Sequence, residues 1–175
     1  MLFVRRVRLN LRNSLSSRQK KTSNWLSTLD RRASSAGVAL IDTADRVLVV
    51  KAKYKRYWSF PGGIIDVNET PLRAAVREVK EEVGLDIDPT SLSFGFVVSR
   101  QSGIALTYQF VFYGSVEVTN ASTIVLDGKE IEAYEFVTRE QILAHDRKYS
   151  QSTVLWAKGF DKGYSEQSFS PDGQP

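Results

Sequence analysis

Cysteine is absent, and histidine and methionine occur once each, at His145 and Met1. Without cysteine there is no disulfide, no thiolate metal site and no sulfur nucleophile. A single histidine cannot build a multi-histidine zinc centre. No apolar run approaches the roughly 18 residues that a membrane-spanning helix needs. A secretory leader is not expected either, because the apolar start Leu2-Phe3-Val4 is cut short by Arg5 and Arg6. These absences are compatible with a reducing compartment and point to a cytoplasmic location.

The chain has 175 residues and a hydrophobic content of 42%, enough for one globular domain with extra segments. Its net charge of +4 joins two unlike parts. Residues 1–35 hold nine Lys/Arg and one acid, Asp30, while the remainder is mildly acidic. The basicity belongs to an arm, so the charge does not mark the whole chain as a nucleic-acid binder. In that arm Val4, Val7, Leu11 and Leu15 share a helical stripe beside Arg5, Arg8 and Arg12. The stripe could dock on the chain's own domain or lie on an anionic membrane surface. The Arg- and Ser-rich composition also fits an organellar transit peptide.

From Ala36 the period changes. AGVALID and RVLVVKA read as strands joined by a DTAD turn. LSFGFVVSRQ and ALTYQFVFYGSVEV read as two more, paired around Ser102-Gly103, and EIEAYEFVT as another. REQILAHD and KYSQSTVLWAKGF read as a short and a longer helix. The expected organisation is a basic extension over 1–35, an α/β domain over 36–160 and a loose polar tail over 161–175. The domain is expected to be a mixed β-sheet packed between helices.

One helix stands apart. Thr70 and Pro71 supply a cap and a first turn, and Gly84 a stop. Leu72, Val76, Val79 and Val83 fall within about 60° of a helical wheel. Glu78, Glu81 and Glu82 occupy a separate arc of about 100°, roughly opposite, with Ala74 and Ala75 beside them. Like charges at this spacing repel, and three carboxylates stay ionised together only with compensation. A hard divalent cation such as Mg²⁺ or Mn²⁺ supplies it. Without further context, a solvated acidic face would be the simpler account.

The context is Gly63, five residues, Glu69, seven residues, then Arg77-Glu78-Val79-Lys80-Glu81-Glu82-Val83-Gly84-Leu85. This resembles the signature of the Nudix (MutT-like) hydrolases, with all nine specified positions filled. The resemblance implies an α/β/α sandwich. It also implies metal-dependent hydrolysis of a diphosphate bond in a nucleoside diphosphate linked to another moiety. Glu78, Glu81 and Glu82 match the family's metal ligands, and the Gly62 carbonyl matches a backbone ligand. Glu82, or else Glu81, is expected to accept the proton of the attacking water. Glu69 and Arg77 match an ion pair that braces loop against helix. Glu130 is the candidate for a further metal ligand, with Glu132 and Glu135 as competitors.

Lys51 and Lys53, ahead of the glycine turn, are candidates for substrate phosphate contacts. Tyr108, Phe110 and Phe112 alternate along one strand and read more readily as core than as a base platform. The expected partner is a small nucleoside diphosphate derivative, and DNA is not expected. RNA, as in 5′-pyrophosphohydrolases, a membrane surface for the arm, and a second copy of the chain are the alternatives. A non-catalytic nucleotide-binding module would be expected to lack some of these glutamates, and none is missing.

Overall fold

The computed structural model describes residues 21–22, 24–25, 28–29, 32–101, 105–117, 124–126 and 128–168. The basic stripe of residues 4–15, the turn at 102–103 and the end of the chain from 169 lie outside them. The chain divides into two units, Met1–Arg31 and Arg32–Pro175. In the first, Lys21, Thr22, Asn24, Trp25 and Thr28 are helical. All that follows concerns the second.

Strand β1 (Ser34–Ile41) runs into a tight turn and returns as β2 (Val47–Ala52). Asp42 builds that turn. Its Oδ1 accepts the N–H groups of Ala44 at 2.9 Å and Arg46 at 2.8 Å, and its Oδ2 accepts the Arg46 guanidinium. β1 and β2 pair only at Ile41 and Val47 and then diverge. The gap is filled by β3 (Gly62–Ile64), which pairs antiparallel with the start of β1.

Helix α1 (Pro71–Val83) follows, capped by Thr70 and ended by Gly84 at φ 76°. β4 (Ser93–Gln101) and β5 (Leu106–Ser115) form an antiparallel pair, and β5 runs parallel to β1. β6 (Ile131–Val137) pairs antiparallel with β2. Helices α2 (Arg139–Ala144) and α3 (Gln151–Ala157) complete the second layer. With a last strand β7 (Gly163–Ser168), the sheet order is β6-β2-β1-β5-β4-β7, with β3 beside β1.

The period-2 alternation of the strands sends side chains to two cores. Val38, Leu40, Leu48, Val50 and Phe112 face α1 through Val79 and Val83. Ala39, Val47, Val49, Phe96, Val98 and Val111 face the other side, where Ile142 and Trp156 cover them. Trp156 meets Phe60 edge-on, with ring centroids 6.3 Å apart. This is the expected sheet packed between helices. Phe112 is buried and Phe110 packs beside it on the α1 side, as a core reading of those aromatics requires.

Two expectations fail. Residues 161–175 are not wholly a loose tail, because β7 (Gly163–Ser168) adds to the sheet parallel to β4. GYSEQS has no apolar alternation, and main-chain pairing with β4 decides its conformation. The second correction concerns the face of α1. Its buried residues are Ala74, Ala75, Val79, Glu82 and Val83, while Val76 is only half-buried. The small residues of β1 and β3 let the helix approach closely, which rolls its buried face toward the acids. Glu82 therefore lies within the buried face, Glu78 is half-buried at its margin and Glu81 stays exposed.

Candidate active site

The acids of α1 meet the glycine turn. Gly62 donates its N–H to Glu82 Oε2 at 2.8 Å, and Glu82 is only 4% exposed. A Cβ on Gly63 would lie 2.5 Å from Glu78 Oε1, so the missing side chain is the space that the Glu78 carboxylate uses. A Cβ on Gly62, at φ 152°, would run into the Ala36 carbonyl and come within 2.5 Å of Gly37 Cα. Gly62 thus serves strand contact, and Gly63 serves the acid.

Arg77 organises the rest. Its Nε donates to Glu69 Oε1 at 2.9 Å and its Nη2 to Glu69 Oε2 at 3.0 Å, a two-pronged pair. Nη2 also reaches the Ile64 carbonyl at 3.0 Å, and Nη1 reaches Glu78 at 2.8 Å and Glu81 at 2.9 Å. Glu69 in turn accepts the Asp66 N–H at 3.0 Å. The bond to Glu69 comes first among the causes that raise the Arg77 pKa. The arrangement joins the loop after β3 to α1, in the geometry expected of a brace.

Glu82 has its pKa pushed up to about 8, burial being the largest cause. The Gly62 N–H and the charge of Lys55 oppose that rise, while Glu78 and Glu130 add to it. Glu78 is raised as well, by burial first and then by Glu81 and Glu130, against the pull of Arg77. Glu130 is therefore within electrostatic reach of both. Tyr54 completes the group. Burial raises its pKa first, then a hydrogen bond to Glu130 and the charges of Glu130, Glu82 and Glu78. Glu78, Glu82, Glu130 and the Tyr54 hydroxyl thus lie within electrostatic reach of one another.

The competitors go elsewhere. Glu132 lies 3.7 Å from Lys51 in an ion pair. Glu135 pairs with Val49 on the opposite side of the sheet from α1, near Tyr149, whose pKa it raises after burial does. Lys51 also donates to the Lys55 carbonyl, and Lys53 donates to the Gly128 carbonyl at 2.7 Å. β2 ends at Ala52, with a register shift at Lys51/Ala52, so Lys51, Lys53 and Lys55 do not alternate along one strand. Lys55 is the lysine whose charge reaches Glu82. The roles of Tyr54 and Lys55 carry no sequence signal, because closure of the loop after β2 sets them. Lys53 N–H bonds the Glu130 carbonyl at 3.0 Å, and Lys55 N–H bonds the Ala52 carbonyl at 3.1 Å.

Among the described residues, no three acidic or histidine side chains are gathered as a ready cage for a metal. Arg77 holds Glu78 and Glu81 apart from Glu82, which faces Gly62. The donor chemistry nonetheless fits a hard divalent cation. Every side-chain donor is a carboxylate, and the raised Glu78 and Glu82 report excess negative charge in a withdrawn place.

A mixed sheet between helix layers, with a glycine turn set against an acidic, arginine-braced helix, defines a class of protein. Residues 31–156 match the NUDIX domain, and the chain belongs to the Nudix family. An 8-oxo-dGTP diphosphatase of Proteus vulgaris is 37% identical over 62 residues, covering 33% of this chain and 54% of the relative. An RNA pyrophosphohydrolase of Hydrogenovibrio crunogenus is 38% identical over 52 residues, covering 30% of this chain and 32% of the relative. The chain thus aligns with about a third to a half of these relatives' lengths. Among solved structures, the MutT protein of Methanosarcina mazei Go1 superposes with a TM-score of 0.62 at 20% identity, covering 76% of this chain and 96% of that one. That likeness supports the fold.

Proposed function

We propose that this protein hydrolyses a diphosphate bond in a nucleoside diphosphate linked to another moiety, with water attacking phosphorus. The observation that carries the reading is Glu82: 4% exposed and fixed by the Gly62 N–H at the point where the acidic helix meets the glycine turn. A carboxylate held in one orientation there is placed to take a proton from an attacking water. Glu78, Glu81, Glu82, Glu130 and the Gly62 carbonyl are the groups that would hold Mg²⁺ or Mn²⁺. When bound, the cation neutralises phosphate charge and lowers the pKa of water. Glu82, with Glu81 as the alternative, receives the water's proton. Arg77 and Glu69 keep the turn and helix in register. Lys51 and Lys53 stand at the hairpin end as phosphate contacts, and Lys55 joins them. A cytoplasmic location belongs with this reading.

The test is turnover of nucleoside triphosphates, nucleotide sugars, dinucleoside polyphosphates and 5′-triphosphorylated RNA with and without Mg²⁺ or Mn²⁺. Metal-dependent release of phosphate or monophosphate is expected. Glu82→Gln should remove at least about 100-fold of it. Turnover that survives Glu82→Gln overturns the assignment of the base. The matched RNA pyrophosphohydrolase favours RNA as a second substrate reading. RNA turnover should then fall steeply with added salt while small-nucleotide turnover does not.

A further inference from the structure

The loop after β2 carries a tyrosine that the core does not use. The Tyr54 side chain is 65% exposed, so burial of its ring gives the fold little. Its polar end is tied down instead: the hydroxyl donates to the Glu130 carboxylate, within reach of the charges of Glu82 and Glu78. The residues on either side of it are pinned. Lys53 donates its N–H to the Glu130 carbonyl at 3.0 Å and its Nζ to the Gly128 carbonyl at 2.7 Å. Lys55 donates its N–H to the Ala52 carbonyl at 3.1 Å, and its own carbonyl accepts Lys51 Nζ. The Lys55 ammonium lies 5.4 Å from the centroid of the Tyr54 ring. Tyr54 is thus carried on a closed loop that is bonded to the segment bearing Glu130.

Glu130 gains from such a partner. It is exposed and immediately precedes β6, so packing does little to choose among its rotamers. The other acids are fixed by other means, Glu82 by the Gly62 N–H and Glu78 and Glu81 by Arg77. A lysine or arginine in the place of Tyr54 would also hold Glu130, but it would cancel the charge that a cation needs. A tyrosine hydroxyl donates one hydrogen bond and adds no charge. An ionised carboxylate has about four acceptor sites, so one bond to Tyr54 leaves the others open.

We propose that Tyr54 is a positioning residue that aims the Glu130 carboxylate at a divalent cation shared with Glu78 and Glu82. The role rests on the metal site of the hydrolase reading. Groups that orient a metal ligand from behind typically govern metal affinity by about 10–100-fold. Tyr54 acts only through Glu130 in this role. Its effect must therefore disappear once Glu130 no longer offers an anionic oxygen.

The experiment is calorimetric titration of the full chain with Mn²⁺, which reads binding without substrate or turnover. Tyr54→Phe should raise the Mn²⁺ dissociation constant about tenfold or more. Glu130→Gln should raise it at least as much, and adding Tyr54→Phe to Glu130→Gln should change it by about twofold or less. Urea midpoints should stay close to the wild-type value in all three variants, because both side chains are exposed. Wild-type affinity in Tyr54→Phe, or losses that multiply in the double variant, overturns the role and leaves the metal site standing. So does a loss of affinity that comes with a markedly lowered urea midpoint, since that is the mark of a structural tyrosine. No Mn²⁺ binding by the wild type up to millimolar concentration overturns the metal reading and the role together. Coupled loss of affinity in a protein that turns over none of the panel substrates keeps the role and removes the hydrolase reading.

Discussion

At the residue scale, two adjacent glycines answer to different constraints. The three atoms nearest a methyl group on Gly63 all belong to the end of the Glu78 side chain, which can swing away. Gly63→Ala should therefore fold with nearly unchanged stability and lose at least about tenfold in kcat, because Glu78 is displaced. A methyl group on Gly62 meets the backbone of β1, which cannot. Gly62→Ala should lower the urea midpoint markedly, by about 2 kcal/mol or more in stability. Equal behaviour of the two variants in paired unfolding and activity assays would sink this division of labour.

Asp42 offers a second case. It is 6% exposed, and burial raises its pKa, but the N–H groups of Arg46 and Ala44 and the Arg46 side chain outweigh burial and hold it below 3.8. A depressed folded-state pKa means stability that is fully present above the unfolded-state value and lost as pH falls through the folded one. The Asp42 contribution should be intact at neutral pH and vanish in acid, below about pH 4. Asp42→Ala should cost about 2 kcal/mol at pH 7, and the difference from wild type should close as pH drops. Chemical unfolding at pH 7 and pH 3 checks it.

At the scale of elements, α3 is small but holds a core. Trp156 is 1% exposed against Phe60, which leads directly to the Pro61–Gly62 turn. Trp156→Ala should cost about 3–5 kcal/mol in denaturant unfolding. Element boundaries divide clearly by how local their signals are. Helix α1 was legible because Thr70, Pro71 and Gly84 cap it within its own sequence. The acidic centre was legible because the residues from Gly62 to Glu82 lie close along the chain. Glu130 came only through the resemblance, and Tyr54 and Lys55 not at all in their present roles, because a loop closed by long-range bonds positions them. The roll of α1 was missed for a related reason. A wheel counts Ala74 and Ala75 as weakly apolar, whereas packing on a small-residue strand buries them as fully as Val79 and Val83.

For the whole molecule, the sheet is stapled from sequence-distant pieces. β1 sits centrally, beside β2, β3 and β5, and the chain leaves and re-enters it on both sides. β7 is an edge strand, as β6 is at the other end: among the described residues it pairs with β4, with Tyr164 Oη donating to Ser99 Oγ at 3.0 Å. An edge strand with one neighbour should open most easily. In native-state hydrogen exchange, amides of β7 should therefore exchange well before those of β5, which is paired on both sides. Equal protection of the two strands would contradict this order.

The position of β7 also determines how a shortened chain would fail. The two cores of the sandwich are built without it, so a chain cut before Gly163 keeps most of its buried apolar surface. What it loses is the cover on β4. The main-chain donors and acceptors of a long, apolar strand would then face solvent, ready to pair with the same strand of another molecule. The damage would appear as aggregation of otherwise folded protein, and the solubility of the preparation would register it before any spectroscopic signal of unfolding.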